Sequence, residues 1–149
     1  MEKGGDIVLV GEYRHNLDVK GRITLPSKFR EELGEKIIVT RGFDGCLYAY
    51  TPKEWEKVQI QLSEMAMTHK KTRTFVRLMV SQTTFCEFDK MGRINIPSNL
   101  RELANLSKNC VIVGALTHIE IWDEARWEEY YTSQSDDFED LAEELELSL

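Results

Sequence analysis

The chain has 149 residues, 42% of them apolar and 30% charged, an ordinary globular composition that excludes a low-complexity polymer and suits one domain or two small ones. Its formal net charge of −7 is unevenly placed. Residues 128–149 hold nine acids and no Lys or Arg, which leaves 17 acids against 19 basic residues in 1–127, a net charge of +2 there, so a polyanionic partner is not excluded.

No apolar run reaches the roughly 18 residues that span a bilayer, and Glu2 and Asp6 stand where a leader would carry basic residues. A cytoplasmic protein with no membrane partner is the expectation. Cys46, Cys86 and Cys110 are odd in number and lack Cys-x-x-Cys spacing, so they read as small apolar core residues. His15, His69 and His118 sit in no ligand-spaced motif. No metal, no cofactor and no small-molecule substrate are expected.

In chain order, the first predicted elements flank a phrase that occurs twice. Asp18-Val19-Lys20-Gly21-Arg22-Ile23-Thr24-Leu25-Pro26 returns as Asp89-Lys90-Met91-Gly92-Arg93-Ile94-Asn95-Ile96-Pro97. The chain is an internal tandem duplication, and repeats of about 70 residues are so near the lower limit for a separate core that the two should share one. Each phrase has the chemistry of a tight turn, formed by Asp18 and Gly21 in the first copy and Asp89 and Gly92 in the second. Alternation places Tyr13, His15, Leu17, Ile23 and Leu25 on one side of the first hairpin and Arg14, Asn16, Arg22 and Thr24 on the other.

Pro26-Ser27 opens a short helix that ends at Gly34, and Pro97-Ser98 opens its counterpart. Strands follow at Lys36–Thr40 and Cys46–Tyr50, then in the second copy at Cys110–Val113 and Ile119–Trp122. Each repeat thus reads strand, strand, helix, strand, strand. Between the copies, Thr51-Pro52-Lys53-Glu54 is a capping box, and Trp55, Val58, Leu62 and Met65 continue at helical spacing, with Met65 and Met67 read as core filling. A second helical segment runs from Lys70-Lys71-Thr72-Arg73 through Phe75, Val76, Met79 and Val80, its basic residues read as solvating the helix in preference to contacting phosphate. In the tail, Phe138, Leu141, Ala142, Leu145 and Leu149 make an amphipathic helix with an acidic back, either docked on its own chain or in contact with a neighbouring subunit.

At the doubled Asp-x-x-Gly-Arg-x-x-x-Pro, each copy continued by Pro-Ser, the chain resembles the MraZ family of bacterial transcriptional regulators, relatives of the AbrB-type swapped-hairpin DNA-binding proteins. The match runs from about Val10 to Leu149. The resemblance implies an α+β fold in which two tandem β-β-α-β-β repeats interlock their hairpins into one pseudo-symmetric AbrB-like swapped-hairpin β-barrel with flanking helices. The expected layout is a first AbrB-like (SpoVT-AbrB) repeat at 7–53, a helical connector at 54–80, a second repeat at 81–124 and an acidic helical tail at 125–149. It further implies a nucleoid-associated homo-oligomeric ring that binds double-stranded DNA at repeated sequences upstream of the division and cell-wall gene cluster.

The residues add an asymmetry. From Arg14 to Arg22 the first hairpin carries Arg14, Lys20 and Arg22 against Asp18, whereas from Phe85 to Arg93 the second carries Lys90 and Arg93 against Glu87 and Asp89. Guanidinium forks onto two acceptors of guanine or of phosphate, and Lys offers a point charge. Arg14 and Arg22 are therefore expected at base edges or bridging phosphates and Lys20 at phosphate, with Lys90 and Arg93 contributing less. The competing reading has Arg22 and Arg93 pairing with Asp18 and Asp89 to staple the turns. Three other functions compete: an enzyme with Asp18 and Asp89 as paired carboxylates, which no nucleophile and base pair supports; an antitoxin, which the full duplication disfavours; and a non-enzymatic oligomeric scaffold. RNA binding is disfavoured because the turns lack exposed stacking aromatics.

Overall fold

The computed structural model describes residues 7–149; the reading of Glu2 and Asp6 lies outside them. Among the described residues, eight strands and six helices follow one another in the order β1 (Glu12–Asn16), β2 (Arg22–Thr24), α1 (Ser27–Leu33), β3 (Lys36–Arg41), β4 (Leu47–Tyr50), α2 (Pro52–Ser63), α3 (Lys70–Val80), β5 (Thr84–Glu87), β6 (Arg93–Asn95), α4 (Ser98–Leu103), β7 (Asn109–Gly114), β8 (Ile119–Asp123), α5 (Glu124–Ser135) and α6 (Phe138–Glu144). The helix starts follow from local chemistry. Pro26 and Pro97 precede α1 and α4, and the Thr51 hydroxyl accepts the Glu54 N–H at 3.1 Å at the head of α2.

Strand pairing departs from a simple pair of hairpins. β1 does not pair along its length with β2; it pairs antiparallel with β7 of the other repeat, Arg14 opposite Val111, while β2 pairs with β6, Ile23 opposite Ile94. Across the first turn there remain the Asp18 N–H bond to the Arg22 carbonyl and an isolated bridge of Leu17 with Ile23. The repeats therefore exchange strands. The expected barrel is corrected: the strands form an open six-stranded sheet, β1-β7-β8-β4-β3-β5, and a separate two-stranded ribbon, β2-β6. Edge strands β1 and β5 do not meet, so no closed barrel forms among the described residues.

One core serves both copies. Ile23, Leu25, Phe29, Ile37 and Leu47 of the first repeat pack with Ile94, Ile96, Leu100, Ile112 and Ile121 of the second, all fully buried. The three cysteine thiols are buried, and desolvation raises all three, Cys86 to about 11 and Cys110 to about 12. One packing expectation is corrected, and one of the two readings of the tail is set aside. Met67 is 47% exposed and Met65 only half-buried, because the α2–α3 turn lies at the surface. The tail is not docked on its own chain: α6 has no buried residue, and Phe138 and Leu145 are each 68% exposed.

Candidate nucleic-acid interface

The two turns are built alike from the same phrase. Asp18 Oδ1 accepts the backbone N–H groups of Lys20 and Arg22 at 2.9 Å, and its Oδ2 accepts Arg22 Nε at 2.7 Å. Asp89 does the same with Met91 N, Arg93 N and, at 2.8 Å, Arg93 Nε. The backbone N–H of Arg22, then its guanidinium and the Lys20 N–H, hold the Asp18 carboxyl below its ordinary value; the equivalent groups of Arg93 and Met91 do so for Asp89. Gly21 and Gly92 close the turns at φ 82° and 75°, a region L-residues avoid.

Alternation along β2 and β6 sends Ile23 and Ile94 into the core, so Arg22, Thr24, Arg93 and Asn95 share the ribbon's outer face. The structure thereby brings Arg22 and Arg93, 71 residues apart, onto one surface. Arg93 Nη1 stands 4.0 Å from Asp18 Oδ2, and Asn95 Nδ2 donates to the Lys20 carbonyl at 3.4 Å, tying the ribbon to the first turn. Each arginine spends its Nε on its own Asp. The Nη edge of Arg22 makes no hydrogen bond among the described residues, so the staple leaves a donor pair available in the same side chain. Lys20 and Lys90 are exposed at the two turns, and Lys90 borders a cavity of about 410 Å³ with Arg30, Lys36 and Asp89.

Arg14 is placed elsewhere. It lies on the edge strand β1, bonded to Glu12 at 2.9 Å, to Glu124 at 3.2 Å and closely to Glu128, the last two from α5. The hydrogen bond that it donates to Glu128 is the largest of the influences that raise its already high pKa.

Sequence reasoning passed over Arg30 and Arg101. Arg30 of α1 covers Gly92 of the second turn, where a Cβ would come within 2.5 Å of its Cζ, and it donates Nε to the Leu25 carbonyl at 3.1 Å. Arg101 of α4 covers Gly21 of the first turn in the same way, at 2.8 Å. Each helix therefore clamps the turn of the opposite repeat. The signal was present in the echo of Phe29-Arg30-Glu31 by Leu100-Arg101-Glu102, but its meaning depends on the strand exchange.

Comparison with known proteins agrees with this doubled architecture. The family described as "MraZ protein, putative antitoxin-like" matches twice, at residues 8–78 and 79–148. The chain is 49% identical over 138 residues to the "Transcriptional regulator MraZ" of Ligilactobacillus salivarius, covering 93% of this chain and 96% of the relative. It is 50% identical over 139 residues to the protein of the same name from Halothermothrix orenii, covering 93% and 97%. By both measures, two family matches in tandem and near-complete coverage at about half identity, the chain belongs to the MraZ family.

Proposed function

We propose that the protein is a non-enzymatic, sequence-specific regulator of transcription that binds double-stranded DNA through the β2–β6 ribbon and its flanking turns. The observation that carries this reading is the ribbon's outer face, where Arg22 and Arg93 stand together, each oriented through Nε by an Asp. A two-stranded ribbon is narrow enough for the major groove, and an arginine held at Nε still offers Nη donors to a guanine edge or phosphate. Lys20 and Lys90 supply point charges for the backbone. Set against Asp18 and Asp89, the four cations leave a local charge of +2. Arg14 serves in this reading as the anchor of α5, since three carboxylates already occupy it.

So few charges give weak single-site binding. Several copies joined in a homo-oligomeric ring make the later contacts intramolecular and raise avidity by roughly 10² to 10⁴. Tandem boxes spaced near one helical turn of about 10 bp would then be the target. Their expected place, upstream of the division and cell-wall gene cluster, and a cytoplasmic, nucleoid-associated location rest on the family resemblance.

Fluorescence anisotropy at fixed salt, on DNA upstream of the protein's own gene, tests the reading. Wild type should prefer that DNA to a scrambled duplex and tandem boxes to a single one. Arg22→Ala and Arg93→Ala should each weaken binding, Arg22→Ala more, with oligomer size unchanged. Equal affinity for scrambled DNA would sink the regulator reading and favour the scaffold; equal affinity for one box and several would sink the avidity argument alone.

A further inference from the structure

We infer that the groove between α2 and α3 is the seat for the C-terminal segment Phe138–Leu149 of a second copy of this chain. The groove has a volume of about 420 Å³ and is walled by Trp55, Leu62, Met67, Val76, Val80 and Phe85. Its apolar wall is bare: Phe85 is 71% exposed, Met67 47% and Val80 46%. Contiguous exposed apolar surface of this kind marks a contact site.

Charge on the α3 wall of the groove has one sign. Helix α3 carries Lys70, Lys71, Arg73 and Arg77 and no acid. Lys70, Arg73 and Arg77 fall at i, i+3 and i+7, so they form one stripe beside Val76 and Val80. Arg73 donates to the carbonyls of Met67 and Thr68 at 3.2 and 2.9 Å, which fixes the α2–α3 turn at the end of the groove.

The tail is the complement in both respects. Phe138, Leu141 and Leu145 lie at i, i+3 and i+7, all exposed, and residues 136–149 hold seven acids and no base. Asp137, Asp140 and Glu144 repeat the i, i+3, i+7 spacing of the basic stripe. An amphipathic helix laid into an apolar groove with opposite charges along the rim is a recurring recognition mode. The helix with its capping residues is about 12 Å long, enough to bring two turns of apolar side chains to the groove.

The occupant comes from another copy because groove and tail are both uncovered on one chain: the tail's apolar residues face solvent while its own groove stands bare. A tail and a groove at different places on the same chain make a head-to-tail contact, and such contacts close into rings when the rotation permits. The inference rests on the assembly proposed above, and it supplies the contact that builds it.

Native mass spectrometry on three full-length proteins tests it, with circular dichroism as the check on folding. The tail variant carries Leu141→Asp and Leu145→Asp; the groove variant carries Met67→Glu and Val80→Glu, both at exposed positions. Wild type should be a multimer and each variant a folded monomer. Mixed in equal amounts at high micromolar concentration, the variants should form a 1:1 pair, since the tail variant keeps an intact groove and the groove variant an intact tail. Variants that keep the wild-type size overturn the docking but leave the assembly standing. Monomeric variants that do not pair also overturn it, because the tail would then bind in cis or to a different partner. A monomeric wild type overturns the assembly reading and this inference together.

Discussion

At the scale of single residues, the two Asp carboxylates organise the paired turns. Each gathers two backbone N–H groups and one guanidinium, which shapes the turn and sets the direction of the arginine in the same act. These contacts hold both carboxyl groups below the ordinary aspartate value in the folded chain. A depressed folded pKa means that the stabilisation is fully present above the unfolded value and is lost as pH falls through the folded one. Asp18→Asn combined with Asp89→Asn should therefore melt below wild type at pH 7, and the gap should narrow as pH falls through the ordinary carboxyl range toward the depressed folded values. Thermal melts across that range check it. A gap independent of pH would show that the carboxylates act through shape alone and not through charge.

At the scale of elements, helix α5 is held to the sheet edge by Arg14, a residue for which the sequence predicts a DNA contact. Arg14 reaches Glu124 and Glu128, one turn apart on α5, as well as Glu12 on its own strand. Exposed pairs of this kind are screened by solvent, so the anchor is modest and local. Arg14→Ala should leave the salt dependence of DNA binding unchanged and make the α5 amides exchange faster, as read by hydrogen exchange. A fall of about one in the slope of log affinity against log salt would return Arg14 to the phosphate contacts. The elements show what was legible in the sequence and what was not. Turns, helix starts and the alternation along β1 and β2 follow from chemistry within a few residues, so Asp18, Gly21, Thr51 and Pro26 announce them. Partner choice does not. The register of β2 on β6 and of β1 on β7 is decided by burying the apolar face of strands from opposite repeats, and no local motif encodes it. For the same reason the meeting of Arg22 with Arg93, the hold of α5 on Arg14 across 114 positions, and the clamps of Arg30 and Arg101 were out of reach.

At the scale of the whole molecule, strand exchange makes the two repeats a single cooperative unit. Ile23 of β2 lies opposite Ile94 of β6, both fully buried, and the core they enter draws on both copies. Neither repeat can complete that core alone, because each contributes the strand that covers the other's. Truncating either isoleucine to Ala should cost about 2–5 kcal/mol, the usual range for emptying a packed site. Since the two side chains face each other across the ribbon, the double variant should depart from additivity by about 0.5–3 kcal/mol. Ile23→Ala should also unfold both repeats in one transition with the same midpoint, whether followed by Trp55 and Trp122 fluorescence or by loss of helix signal. Two separate transitions, with only the first repeat shifted by Ile23→Ala, would mean that the copies fold independently. The ribbon would then be a late contact between finished halves and not the centre on which both are built.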